Sequence, residues 1–348
     1  MNVIKKCLTG ALLASVIGSA HAGKTLIFGE ASPNRGARAA DVQWFADQVN
    51  ERSGGDLKID IQWGGALFKA KAAREGISYG VADMGSIIQG YFPKELITTG
   101  IGDVPFENND PWVGIRAVND FAKDEQVEKQ LAEQNLRLLT AYSVGSVNLI
   151  CKDKPVKTLA DIEGIKLRGI SAYGYVLGDH GAGLVNMSVY KVFQGLDTGL
   201  IDCAQTYLSA SAALKHDEVS KYITKLNWGV FSGLGIYINN DVYQSLTASQ
   251  QKVLDEVAAA FADHHGRNVI SADVAGEKSL VANGMVANDL AAEDTATLIK
   301  DSKKYVQDWV SKADESGLDG DRLLKKYQAL LSKYKSEIDE SGYPWDQK

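Results

Sequence analysis

The stretch KTLADIEGIKLRGISAYG, residues 157–174, carries the clearest chemical capacity in the chain. Its centre, Ile165-Lys166-Leu167-Arg168-Gly169-Ile170, alternates apolar and polar side chains as a short strand does, and it delivers an arginine to the strand's end. A guanidinium is a planar fork that matches a carboxylate through two parallel hydrogen bonds, and a strand fixes the direction of that fork. Arg168 is therefore a candidate grip for an anionic ligand. The competing role is a salt bridge inside the fold, with Asp202 or Asp179 as partner.

Other chemistries find little support. Apart from the leader, the chain has two cysteines, Cys151 and Cys203, and four histidines, His180, His216 and the adjacent pair His264-His265. There is no CxxC and no ligand spacing, so no metal is expected. The two cysteines could pair in an oxidising compartment, but the simpler expectation is two separate small buried residues. Nucleophile elbows of the type G-x-S-x-G, HExxH and GxxxxGKS are all missing. GDHGAG around His180 follows a helical segment, which is the wrong context for a dinucleotide turn. DESGLDGD lacks the spacing of a calcium loop, and Asp319 within it reads as a helix cap. A periplasmic enzyme is thus the weaker reading, and no cofactor is expected.

The first 22 residues read as an export signal. Lys5 and Lys6 precede the apolar run Leu8–Ile17, and Ala20-His21-Ala22 offers small residues where a signal peptidase reads. Cleavage after Ala22 would remove two of the 37 basic residues and none of the 44 acidic ones, leaving a net charge of about −9. An acidic chain of this kind has no basic excess for phosphates, so no nucleic-acid partner is expected. No later segment is apolar for long enough to span a bilayer. A soluble periplasmic protein follows, and its length makes two lobes the default.

The elements that must position Arg168 can be read along the chain. Strand KTLIFGEAS, helix AADVQWFADQVNERSGG with Val42, Phe45, Ala46 and Val49 on one face, strand DLKIDIQWGG, helix AKAAREGISYG and strand VADMGSII make a β-α-β-α-β run. That order implies a parallel sheet with helices on both faces. A second unit starts near LRLLTAYSVGSVNLICKD and runs through Arg168 to GLIDCAQTYLSA. One long helix capped by Thr247 follows to Gly284, and two more, about 291–313 and 319–341, close the chain. The fold class expected is α/β, two lobes with a ligand cleft between them and a long crossing helix. In open α/β sheets ligands bind at the carboxyl ends of the strands, which is where Arg168 lies.

TLADIEGIKLRG, followed by FQGLDTGLIDCAQ with Phe193, Leu196, Gly199 and Asp202, resembles the DctP-like solute-binding proteins of tripartite ATP-independent periplasmic (TRAP) transporters. FADQVNERSGGDLKIDIQWGGALF, REGISYGVADMG and LTASQQKVLDEVA are similar to other stretches of that family, so the likeness covers nearly all of the chain beyond the leader. The resemblance implies a periplasmic protein that captures a small organic acid and delivers it to the small and large integral-membrane subunits of a permease. It also implies a monomer that is not an enzyme. A protein that feeds a signalling receptor would carry the same features. The implied division is 1–22 signal peptide, 23–146 with 236–275 as lobe I, and 147–235 with 276–348, including the C-terminal helices, as lobe II.

By the same resemblance Arg168 pairs the substrate carboxylate. Asn148 stands where sialic-acid binders of the family carry a second arginine, so that clamp is absent. Ser171 and Thr206 fall at positions of polar contact, with Gln205 and Tyr207 beside them. Trp228 and Phe231, in LNWGVFSGLG, are expected to close over the ligand, or else to pack in the core. In the first lobe, Asn34 in EASPNRG and Ser86 after the third strand lie at cleft-facing ends. Arg35 and Arg38 could add a charge there, although solvated surface positions are the expectation for both. One clamp and no arginine at 148 favour a monocarboxylate or a hydroxylated acid, without excluding a dicarboxylate; Tyr173, Tyr175, Tyr190 and Tyr207 leave room for an aromatic one.

Overall fold

The computed structural model describes residues 23–106 and 108–347, so the export signal expected at 1–22 lies outside the described residues. The chain opens with β1 (Lys24–Gly29), α1 (Ala37–Arg52), β2 (Leu57–Gln62), α2 (Ala73–Ser78) and β3 (Met84–Ile88). The periodicity that predicts α1 works as expected: Val42, Phe45, Ala46 and Val49 are all buried against the sheet. Full burial of a side chain the size of Phe45 contributes on the order of 1.5–3 kcal/mol, so this stripe holds the helix in place. Helices α3 (Pro111–Phe121) and α4 (Glu125–Ala132) follow, capped by the side chains of Asp110 and Asp124, and lead into β4 (Leu136–Tyr142).

At Ser143–Gly145 the chain crosses to a second sheet. There it lays down β5 (Ser146–Cys151), β6 (Lys166–Arg168), α5 (Ser171–Asp179), β7 (Gly183–Val185), α6 (Val192–Asp197), β8 (Cys203–Thr206), α7 (Leu208–Ala213) and β9 (Tyr222–Val230). It then returns through Phe231–Gly233 to β10 (Leu234–Asn239). The first sheet has the order β2-β1-β3-β10-β4, with β10 antiparallel to both neighbours. After α8 (Asn240–Gln244) and α9 (Ala248–Ala282), β11 (Val286–Asp289) completes the second sheet in the order β11-β9-β5-β8-β6-β7. The two crossings run side by side. Val144 N–H donates to the Phe231 carbonyl at 3.0 Å, and the Ser143 hydroxyl donates to the same carbonyl at 2.6 Å.

The expectation of two separate cysteines is overturned. Cys151 and Cys203 form a disulfide, because antiparallel pairing of β5 with β8 sets them directly opposite each other. The 52 residues between them had hidden that register.

Helix α9 runs 35 residues, about 52 Å at 1.5 Å per residue, and starts in a capping box made by Thr247 and Gln250. Its first half lies on the first lobe. There Phe261 meets Phe45 edge-on, His264 stacks on Trp44, and His265 Nδ1 lies 2.6 Å from Asp41 Oδ2. Its second half reaches the other lobe, where Asp273 accepts the Ser209 N–H at 3.0 Å and Gly276 seats against the Leu208 backbone. Helices α10 (Ala292–Glu315) and α11 (Gly320–Ser341) close the chain. Asp319 caps α11, as its sequence context predicts. Tyr327 and Tyr334 of α11 pack edge-on against Phe121 and Trp112 of α3, which lies beside β4 of the first sheet.

Candidate functional site

A narrow cavity lies between the lobes, with polar side chains from the carboxyl ends of β6 and β8 and from two short 3-10 helices after β3. Beyond β3 the first lobe supplies Tyr91 and Asp103; the second supplies Arg168 from β6 and Gln205, Thr206 and Tyr207 from β8; Val144 and Phe231 of the two crossings form its back. This is the place where open α/β sheets bind ligands.

Arg168 is 3% exposed and is held on three sides. Its Nε donates to the Met187 carbonyl at 3.1 Å, Nη1 to the Gln205 carbonyl at 2.8 Å, and Nη2 to the Tyr91 hydroxyl at 3.2 Å. A guanidinium has five N–H groups, so one remains on each terminal nitrogen, at the cavity wall. Neither Asp202 nor Asp179 pairs with it: Asp202 holds Lys166 and Asp179 holds Lys304. The internal salt bridge is therefore excluded as the reason for the arginine.

Gln205 is fully buried beside it. Its Oε1 accepts the Ile170 N–H at 2.8 Å, which fixes the amide's orientation, and its Nε2 has no partner among the described residues. Thr206 exchanges a hydrogen bond with Ser211 at 3.1 Å. Tyr207 lies between Arg168 and Arg38, and its buried phenol is pushed up, first by burial. Phe231 reaches the cavity, but Trp228 does not. Trp228 packs against Tyr173, with ring centres 4.8 Å apart, and Tyr173 in turn against Phe231; the expectation that Trp228 closes over the ligand is corrected to core packing.

The remaining expected residues are dispersed. Asn148 is buried on β5 opposite Thr206, but its amide turns to the Ser146 carbonyl at 2.7 Å and is not part of the cavity wall. Ser171 sits at the start of α5 and donates across the cleft to Asp103 Oδ2 at 3.2 Å. Ser86 donates to Glu30 Oε2 at 2.5 Å in the interior of the first lobe. Asn34 is exposed on the loop after β1 and does not line the cavity.

Arg38 departs from its expected solvated position. Its Nη2 pairs with buried Glu30 at 2.5 Å and its Nη1 donates to the Tyr190 hydroxyl of the other lobe at 2.7 Å. Burial would depress this guanidinium, yet Glu30 and the surrounding tyrosines Tyr142, Tyr190 and Tyr207 hold it charged. Arg35 does stay exposed. Glu30, Tyr91 and Asp103 were not anticipated. Glu30 is simply the residue after β1, whereas Tyr91 and Asp103 lie in QGYFPKELITTGIGD, which has neither helical nor strand period.

The lobes are in contact through polar groups. Tyr91 accepts from Arg168 and from the Val189 N–H at 2.9 Å, Arg38 reaches Tyr190, and Lys71 reaches the Asn186 side-chain oxygen at 2.8 Å. Among the described residues no cluster of His, Cys, Asp and Glu is arranged to hold a metal, and no helix is long and apolar enough to cross a membrane.

The sequence matches the profile of the bacterial extracellular solute-binding proteins, family 7, over residues 28–313. A solute-binding protein of Verminephrobacter eiseniae is 26% identical over 250 residues, 71% of this chain and 74% of the relative. The 2,3-diketo-L-gulonate-binding periplasmic protein YiaO of Escherichia coli is 26% identical over 267 residues, 75% of this chain and 79% of its own. Among solved structures, a TRAP solute-binding protein of Rhodoferax ferrireducens in complex with copurified benzoate aligns with a TM-score of 0.82 at 21% identity, covering 90% of this chain and 99% of that one.

Proposed function

Because this chain belongs to the bacterial extracellular solute-binding proteins, family 7, we propose that it captures a small organic acid between its lobes and hands it to a TRAP-type permease in the membrane. The observation that carries this reading is the state of Arg168. Three of its N–H groups are spent on fixing the fork, and one on each terminal nitrogen is left for a carboxylate. The unpartnered Nε2 of Gln205 offers a further donor nearby. The apolar walls, Ile88, Ile170, Val189, Phe231 and Leu234, suit a ligand with an apolar body. A relative that binds 2,3-diketo-L-gulonate and a structural neighbour that holds benzoate are in keeping with an acid.

The protein acts in the periplasm as a monomer and performs no catalysis in this reading. The disulfide supports export, since such bonds persist in oxidising compartments. The lobes that close on the acid are residues 23–146 with 236–275 and 147–235 with 276–348, the C-terminal helix α11 of the second also packing on α3. A thermal-shift screen against a panel of organic acids tests the proposal. A binder at a hundred times its Kd adds about 2.7 kcal/mol of stability. No shift with any acid, beside a shift with neutral sugars or cations, overturns it.

A further inference from the structure

Asp103 faces the cavity from the lobe opposite Arg168, and nothing described so far accounts for it. It is 4% exposed, and no lysine, arginine or histidine lies within ion-pairing distance of it among the described residues. Its Oδ1 accepts the Gly233 N–H at 2.8 Å and its Oδ2 the Ser171 hydroxyl at 3.2 Å. An ionised carboxylate offers about four acceptor sites, so about two are unfilled. Buried carboxylates are normally paired or fully hydrogen-bonded, and this one is neither.

The fold makes specific room for this group. A Cβ on Gly233 would come within 2.4 Å of the carboxylate carbon, and one on Gly90 within 3.1 Å of Oδ2. Ser171, which supplies one donor, holds a left-handed φ of 56°, a costly conformation for a residue with a side chain. Asp103 shares the inner cavity with Arg168 and Gln205, and the rest of that wall is largely apolar. A polar acceptor so placed is what a ligand's own hydrogen-bond donor requires.

We propose that Asp103 selects for a hydroxyl on the ligand. The bound acid rests its carboxylate on Arg168 and donates from its hydroxyl to Asp103, so the ligand class is a hydroxy acid with an apolar body. This deepens the organic-acid reading and rests on it. Burial pushes the Asp103 carboxyl up to about 7, against which the Gly233 and Ser171 donors work. A ligand hydroxyl stabilises the charged form in the same way, and a site built around such a bond strongly rejects the analogue that lacks it.

Three pairs of acids that differ by one hydroxyl test the assignment by titration calorimetry: mandelate and phenylacetate, lactate and propionate, 3-hydroxybenzoate and benzoate. At least one pair should show more than a tenfold preference for the hydroxylated member. In Asp103→Ala that preference should fall below threefold. Asp103→Asn, which keeps an acceptor for Gly233, serves as a second variant should the alanine protein not fold. Arg168→Lys should weaken both members of a pair together and preserve their ratio. Affinities within threefold for all pairs in the unaltered protein, or a preference that survives both Asp103 substitutions, overturn the assignment. Binding of none of the six acids overturns the assignment, while the organic-acid reading itself falls only if the wider acid panel also gives no thermal shift.

Discussion

Replacing Arg168 by alanine should damage binding and stability at once, and the two effects can be separated. The side chain spans Met187, Gln205 and Tyr91 with three hydrogen bonds, so its loss strips a donor from the buried Gln205 carbonyl and from the half-buried Met187 carbonyl. An orphaned buried acceptor costs about 1–3 kcal/mol, which applies to the Gln205 carbonyl, and the half-buried Met187 carbonyl adds less, before water enters the vacated space. Water entry should bring the loss to the lower part of that range, a fall of several degrees in Tm for a chain of this size. Loss of the remaining fork removes one partner of a desolvated charge pair, on the order of 2–5 kcal/mol, or about 30- to several-thousand-fold in Kd. Arg168→Lys should recover part of each deficit, since an ammonium has three donors and no planar fork. Calorimetric titration well below the lowered Tm, with a binder found in the screen, reads affinity alone. A folded Arg168→Ala protein that binds this acid as tightly as the original would refute the reasoning.

Other outcomes follow from the same structure. Reduction of Cys151–Cys203, or Cys151→Ala with Cys203→Ala, opens a loop of about 52 residues and should cost about 4 kcal/mol by the chain-entropy relation, read as the denaturant midpoint with and without reductant. Asp103, raised to about 7, binds protons more readily folded than unfolded, so its contribution to stability falls as pH rises from about 4 to about 7. His216 is lowered to about 4, first by burial and then by Arg168, so its contribution falls as pH drops from about 6.5 to about 4. The two slopes oppose each other at about 1.4 kcal/mol per pH unit each; stability should be nearly flat there, rise with pH in Asp103→Asn, and fall with pH in His216→Gln. Unaltered slopes in either variant would reject that assignment. Small-angle scattering at saturating acid should give a smaller radius of gyration than without it, because the lobes meet through Tyr91, Arg38 and Lys71; identical curves would rule out closure.

How far the sequence could be read depended on how local each cause was. The strands and helices of the first half follow from apolar periods, and the caps at Thr247 and Asp319 follow from side chains three residues from the N–H groups they hold. The place of Arg168 at a strand end follows from a local alternation closed by glycine, whereas its role as a carboxylate grip comes from the family resemblance alone. The disulfide was not, since it depends on the register of β5 against β8. Arg38 was misjudged because its partners, Glu30 and Tyr190, lie on a strand end and on the opposite lobe, where no periodicity links them. Tyr91 and Asp103 end short 3-10 helices, Gln89–Tyr91 and Thr99–Asp103, too short to leave a period in the sequence.

The placement of β10 bears on how the protein is made. In the first sheet it lies between β3 and β4, and among the described residues β4 has no other strand beside it. A chain that emerges amino terminus first cannot complete that sheet until residue 239 is free, after the whole run from β5 to β9 has appeared. Until then β3 and β4 present open edges, which invite mispairing and need shielding. Pairing over such a sequence separation is also slow, because a long loop must close before any ladder bond forms. The late strand therefore delays the folding of the first lobe during synthesis, and an unfolded chain is the form that can be threaded across a membrane.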